Sequence, residues 1–400
     1  MHANDQPILI VGGGLGGLTA ALALAHKGIA VEVLEQAPEI EPIGYGIQLA
    51  PNVFHMLDRL GLMDAVLAHA HTPSACVWID AEDGTEIERV PTGPELRRRF
   101  KYPYVVIHRV DLHRVLLDAC RASAEIALKP STNVTGFEDL GGRVRALTDR
   151  GPIEGAALIG ADGLRSRIRA ELFQEGEPHL IGYVAHRTVL PMDQVPDHVR
   201  REDVCLWAGP GFHIVHYPLR RGDLFNIVAV FRTPTYAEKL DLAGYTAEIR
   251  RTYQTAHPVM KTLLSLMDFE RRWIIADRDP IRIWGKGRVT LLGDAAHPAL
   301  QSLAQGACMA IEDGVCLAEL IDLAQGDHAA AFRQYQSERL VRTARLQLES
   351  RYIWELYHAD GIARDVVRGT FTERSDEDVY RCLAWLYDGI TLPARPRARA

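Results

Sequence analysis

Four consecutive apolar residues, Ile8-Leu-Ile-Val11, precede an apolar-periodic stretch from Leu15 to His26, a closing Gly28 and a second apolar run, Val31-Glu-Val-Leu34. Runs that are apolar on both faces belong to parallel strands covered by helices, so the opening predicts a β-α-β unit. Pro51 to Leu67 and Asp111 to Ala122 carry apolar residues at helical spacing, whereas Ala75 to Val90 and Lys101 to His108 alternate as strands do. Between Gly182 and about Trp273 the β-branched and aromatic runs return, in Tyr183 to Val189, Phe212 to Tyr217 and Leu224 to Phe231, with Arg221-Gly-Asp as a turn signal. That pattern predicts an antiparallel sheet inserted as a second domain. Arg288 to Leu292 reads as one more buried strand, and a long helical pattern runs from Ala304 through about Tyr357. The expected class is α/β, a parallel sheet with an inserted antiparallel sheet and C-terminal helices, and the tail from Leu392 to Ala400 is expected to fray.

Composition then narrows the partners. Lys and Arg number 45 against 52 Asp and Glu, a net charge of −7, which argues against nucleic-acid binding. Apolar residues make up 47% of the 400, enough for two or three ordinary cores. Cys76, Cys120, Cys205, Cys308, Cys316 and Cys382 show no C-x-x-C spacing, which points to reduced packing residues, no metal site and a cytoplasmic protein. Ile8 to Ala25 lacks any charge and has the length of a signal-peptide core, but five glycines interrupt it and a strand-like run follows at once. A strand, a Gly-rich turn and a helix are expected there, with no transmembrane segment.

Gly12-x-Gly14-x-x-Gly17 sits between the first strand and the first helix, and Glu35 ends the next strand. This is the context of a dinucleotide fingerprint. The glycines, with Leu15 at the helix start, permit a tight turn and close approach of backbone to pyrophosphate, and the acid accepts from ribose hydroxyls. A Gly-rich turn without a ligand is the alternative. Two later segments bear on the cofactor: Asp162-Gly163 follows the apolar run at Leu158, and Gly293-Asp294 follows the one ending at Leu292. In this order and at this separation, the three motifs resemble the single-component FAD-dependent aromatic hydroxylases of the p-hydroxybenzoate and salicylate hydroxylase type, over about residues 7 to 350. The resemblance implies a Rossmann-type FAD-binding domain over residues 1–70, 108–177 and 277–323. It implies a substrate domain over 71–107 and 178–276, and C-terminal helices with a tail over 324–400.

On this chain's residues, the resemblance places Asp294 on the ribityl chain of FAD. It places Gly306 and Ala307 at a helix start whose positive end faces the flavin edge where charge gathers on reduction. Gln48 and Arg109 match further FAD-contacting positions, although a surface salt bridge is the plainer reading of Arg109 from residues alone. Asp162 is expected to serve both FAD and the nicotinamide donor. The chain has no second glycine fingerprint, so NADH, or NADPH in its place, is expected to visit as a transient co-substrate.

A narrower resemblance, to the 3-hydroxybenzoate 6-hydroxylase branch of that family, rests on His213, Tyr217 and Gln301. On a strand, residues 213, 215 and 217 share one face with the outer two about 13 Å apart, which admits a single aromatic ring. A buried His and Tyr on a sheet are more commonly satisfied core residues. The resemblance instead implies His213 as the base for a phenol, Gln301 as a holder of the phenolic oxygen, and Tyr217 as a tuner or relay of the proton. The implied reaction takes 3-hydroxybenzoate, NADH and O₂ to 2,5-dihydroxybenzoate. Salicylate or 6-hydroxynicotinate hydroxylation are alternatives, and a non-catalytic flavin-binding redox protein or a plain flavin reductase are readings from other classes. A homodimer is a family-based expectation. Arg187 is a candidate for the substrate carboxylate by charge alone, with a structural ion pair equally open.

Overall fold

The computed structural model describes residues 6–40, 44–236 and 242–393. One layer is a six-stranded sheet in the order Gly285–Lys286, Val289–Leu291, Ala157–Gly160, Ile8–Val11, Val31–Leu34, Ile126–Lys129, parallel throughout except at the first pair. Helix Leu15–Ala25 packs beside helices Gly306–Ala324 and Arg109–Arg121. Its Ala, Leu and Gly residues are buried almost all round, as a helix enclosed on both sides requires. The approach is close: a Cβ at Gly314 would lie 2.8 Å from the Ala20 nitrogen. A three-stranded antiparallel meander of Val134–Asp139, Val144–Thr148 and Ile153–Gly155, which the hydropathy pattern did not announce, flanks this layer.

The second layer is a seven-stranded sheet ordered Trp273–Asp277, His179–Pro191, Leu224–Arg232, Phe212–Leu219, Val204–Gly209, Ala75–Asp80, Glu86–Pro91. It is wider than the inserted run alone because the strands from residues 75–91 join it, and Val204–Gly209 pairs with Ala75–Asp80 in parallel. Alternation gives the sheet two apolar faces. Phe212, Ile214, Phe225, Ile227 and Phe231 pack on one side against Tyr245, Ile249 and Met260 of helices Leu242–Thr252 and Pro258–Ser265. The other face looks toward the ribbon Gly46–Leu49/Val105–His108 and the C-terminal helices.

Two expected helices are each divided by left-handed backbone. Pro51–Arg59 and Met63–Leu67 part at Gly61 (φ 68°), and Gly306–Ala324 and His328–Tyr357 part at Gln325 (φ 46°) and Gly326 (φ 97°). Apolar spacing continues across both breaks because each pair of helices faces the same core, so periodicity alone hides the turn. The strand expected from Lys101 begins only at Val105, since Lys101 ends helix Pro94–Phe100 at φ 71°. Helices Gly361–Thr372 and Asp376–Tyr387 follow, the latter opened by a Ser375–Asp378 capping box. Of the tail expected to fray, residues 394–400 lie outside the described residues. Among those described, no helix is long and apolar enough to cross a membrane.

Candidate active site

The glycine motifs meet at a cleft along the carboxyl ends of the parallel strands. Gly12 adopts φ 108°, and a Cβ there would lie 2.4 Å from the Ala161 carbonyl oxygen; one at Gly17 would lie 2.0 Å from the Gly12 carbonyl oxygen. These two glycines let backbone meet backbone. Gly14 differs: nothing lies within 4 Å of its would-be Cβ. Space is therefore clear in front of helix Leu15–Ala25, which starts with no side-chain cap and no acidic residue in its first turn. Free N–H groups at such a helix start suit a phosphate. The turn Gly293–Ala295 carries Asp294 to the start of helix Gly306–Ala324, where a Cβ on Gly306 would lie 3.7 Å from Asp294 Oδ1. That helix is also uncapped, with Gly306 exposed and Ala307 half-buried. Asp294 touches water yet is densely surrounded by protein, as a group lining a cleft is. Burial raises its carboxyl pKa, against the pull of His297 and Arg109. Arg109 is exposed, and the salt bridge left open for it is absent among the described residues.

Two of the expected cofactor residues have bracing roles. Glu35 accepts from the Gly13 N–H at 2.7 Å and the Ala37 N–H at 2.8 Å, which ties the fingerprint turn to the second strand. Asp162 accepts from the Ser166 hydroxyl at 2.5 Å and the N–H groups of Arg167 and Ile168 at 2.7 and 3.1 Å, so its carboxylate caps helix Arg167–Phe173. Residues the sequence did not single out brace the same turns. His113 Nε2 donates to the Gly13 carbonyl at 2.8 Å. Asp313 accepts from the Gly293 N–H at 3.1 Å, His297 Nε2 at 2.5 Å and Arg339 Nε at 2.7 Å. Burial alone would raise the Asp313 carboxyl, but His297 and Arg339 outweigh it and hold it at about 2.

A second site lies on the sheet face opposite the Tyr245 side. Register places three rows across strands Phe212–Leu219, Leu224–Arg232 and His179–Pro191: His213, Val230 and Ala185; Val215, Val228 and Arg187; Tyr217, Asn226 and Val189. Helix His328–Tyr357 closes the His213 end. His213 Nδ1 lies 2.9 Å from His358 Nε2, and its ring packs edge-on against Trp354 at 5.3 Å and near Tyr357 at 6.4 Å. His213 Nε2 has no hydrogen-bond partner among the described residues. Burial, and then repulsion by His358, carry its pKa well below the usual imidazole range, and burial puts His358 at about 4. Both rings are therefore neutral at pH 7.

At the other end, Tyr217 is buried against Gly46, where a Cβ would lie 2.8 Å from the Tyr217 hydroxyl, and Asn226 Oδ1 accepts from the Gly46 N–H at 2.9 Å. Burial raises the Tyr217 hydroxyl far above its ordinary value, partly opposed by Arg187 and by a hydrogen bond with Gln48. Gln48 also accepts from the Tyr104 hydroxyl. Its amide thus lines this chamber. Gln301 enters from the turn Gln301–Leu303, and its Oε1 accepts from Arg187 Nη2 at 2.7 Å. The structure so brings Tyr217 and Gln48 to one end and His213 to the other, with Arg187 and its partner Gln301 at the row between them and Val215 and Val228 as an apolar floor. His358, Tyr104 and Asn226 complete it; no spacing in the sequence marks them.

The family described as FAD binding domain matches residues 5–349, and the 3-hydroxybenzoate 6-hydroxylase of Polaromonas naphthalenivorans (strain CJ2) is 42% identical over 384 residues, 96% of each chain. The chain belongs to the FAD-dependent aromatic hydroxylase family. Within this family it is also 40% identical to 3-hydroxybenzoate 6-hydroxylase 1 of Aquipseudomonas alcaligenes, over 98% of this chain and 99% of the relative. A crystal structure of an HpxO variant of Klebsiella pneumoniae complexed with FAD matches it with a TM-score of 0.85 at 25% identity, covering 96% of this chain and 99% of that one. The hydroxylase family's cofactor fits the cleft as found: clear space over Gly14, two uncapped helix starts, an unpaired Arg109 and the accessible Asp294.

Proposed function

We propose that this hydroxylase converts 3-hydroxybenzoate, NADH, a proton and O₂ to 2,5-dihydroxybenzoate, NAD⁺ and water. The observation that carries the reading is His213, a buried imidazole with Nδ1 on His358 and its other nitrogen without a partner among the described residues, on the same sheet face as Tyr217. When bound, FAD accepts hydride from the nicotinamide and activates O₂. The helix starts at Leu15 and Gly306, with Asp294 and Arg109, would hold it. The protein's own part is to make the ring carbon nucleophilic. His213 Nε2 accepts the phenolic proton as the ring carbon attacks oxygen. Because Gln301 Oε1 is engaged by Arg187, its amide N–H groups are left to donate to the phenolic oxygen. Tyr217, kept protonated, donates and never competes for that proton. The apolar floor of Val215 and Val228 excludes water. Holding the hydroxyl at one edge of the ring presents the para carbon at the opposite edge.

NADH as a visiting reductant, a homodimer and a cytoplasmic location belong to this reading. The purified protein supplied with NADH and air should oxidise NADH slowly until 3-hydroxybenzoate is added, then form 2,5-dihydroxybenzoate in proportion. Equal NADH oxidation with and without the acid points to a plain reductase. Formation of 2,3- or 3,4-dihydroxybenzoate, or of catechol from salicylate as the best substrate, removes the assigned roles of His213, Tyr217 and Gln301.

A further inference from the structure

Arg187 is the cation of the chamber, half-buried on the sheet face. Among the described residues its one hydrogen bond is to a neutral partner, Gln301 Oε1 at 2.7 Å. No carboxylate pairs with it among the described residues, and the ionisable neighbours that act on it are Tyr217, Arg109 and Tyr45, of which only Arg109 carries charge, of the same sign. A guanidinium offers five N–H donors and stays protonated in proteins, so four donors and a full charge are left unmatched beside an aromatic wall. That wall is Tyr45, whose ring centroid lies 6.0 Å from the guanidinium carbon and which meets Trp273 edge-on at 5.1 Å. The sequence left an ion pair open for this residue; the structure removes it.

We infer that Arg187 is the carboxylate anchor of the substrate site, taking a planar aromatic acid through two parallel N–H bonds. The inference rests on the proposed reading of the chamber and adds the residue that selects acids. Register supports the placement. Arg187 stands in the middle row, two strands from Val215, a lateral distance of about 9.6 Å between backbones. An aromatic ring over Val215 and Val228 would present its carboxylate to Arg187 while its hydroxyl points along the sheet toward His213. Carboxylate and hydroxyl then leave the ring in different directions, as meta substituents do. Gln301, bonded to Arg187, couples the two ends: binding an acid fixes the amide that faces the phenolic oxygen. A phosphate of the cofactor is the competing anion, but Arg109 and the helix starts already face that group.

The test uses the FAD-loaded protein and the change in flavin absorbance on titration with benzoate, 3-hydroxybenzoate and the neutral 3-hydroxybenzamide. Arg187→Gln should weaken both acids by about 10- to 100-fold, the range for losing a charge-assisted pair, with the amide shifted by less than about threefold and FAD retained. Arg187→Lys, which keeps charge without the fork, should fall between. Unchanged acid affinity, an equal loss for acid and amide, or loss of FAD would each overturn the assignment. The wild-type protein provides an arm independent of folding: equal affinity for acid and amide overturns it outright. Tight, Arg187-dependent binding of the acids without 2,5-dihydroxybenzoate would sink the reaction and leave the anchor standing. Product formation with no preference for acids would do the reverse.

Discussion

The cofactor cleft and the sheet-face chamber are built from different materials. The cleft is made of backbone: glycine turns, helix starts and strand ends, contributed by short continuous motifs at residues 12–17, 293–294 and 306–307. The chamber is made of side chains from separate segments: Gln48, Tyr104, Arg187, His213, Tyr217, Gln301 and His358. Backbone sites bind what the whole family shares; side-chain sites decide which ring is accepted. A change in the cleft should therefore cost the cofactor altogether, whereas one in the chamber should cost a step or a substrate.

The sharpest test sets two glycines of one motif against each other. Gly17→Val drives a side chain into the Gly12 carbonyl and should abolish soluble folded protein, while Gly14→Val, with no protein atom within 4 Å of its Cβ, should yield a folded chain with no flavin. Flavin absorbance per chain and a thermal melt distinguish the two; full occupancy in Gly14→Val would end the pyrophosphate assignment. In the chamber, His213→Ala should keep FAD yet lose hydroxylation by about 10²–10⁴-fold, with peroxide released in place of product. Unaltered coupling there would mean that the base lies elsewhere. Tyr217→Phe removes one buried donor and keeps the ring, so kcat for hydroxylation should drop only about tenfold with flavin content unchanged.

The smallest expected effect is on stability against acid. His186 and His358 are held at about 4 and His216 at about 3, each chiefly by burial around the seven-stranded sheet. Unfolded, these imidazoles titrate near 6.5, so between there and about 4 the unfolded chain binds more protons. Stability should be full above about pH 6.5 and fall as pH drops toward 4, by up to roughly 1.4 kcal/mol per pH unit for each group. Urea midpoints at pH 7.5, 6 and 5 measure the slope. His358→Gln should flatten it by about one group's share, and an unchanged slope would mean His358 is protonated in the folded state.

The same contrast explains what could be read from the chain. Gly12, Gly14, Gly17, Gly293, Asp294 and Gly306 act within a few residues of one another or at a strand end, so local order discloses the cleft and the α/β class. The chamber depends on register, and register is set by long-range pairing: Arg187 comes level with Val215 only through Val228 of the intervening strand. His213 and Tyr217 were legible because a single strand carries both. His358, which bonds His213, was not, being 145 residues away, and neither was the bond of the Gly46 N–H, packed against Tyr217, to Asn226, 180 residues away. Gln48 gained partners that no local pattern shows: its side chain bonds Tyr104 and Tyr217, from two other strand segments.

One more consequence follows from the place of His358 at the end of helix His328–Tyr357, with Tyr380 bonded to the Pro91 carbonyl at 2.8 Å and Tyr387 packed 6.3 Å from Tyr104. Ribosomes deliver a chain from its N-terminus, so every residue of the cleft is synthesised before the ones that shut the chamber. A nascent chain extended as far as Tyr357 carries every residue proposed to hold the cofactor, with Arg339 paired to the buried Asp313, but only an unfinished wall. The wall of the chamber is thus completed last along the chain, by helices Gly361–Thr372 and Asp376–Tyr387.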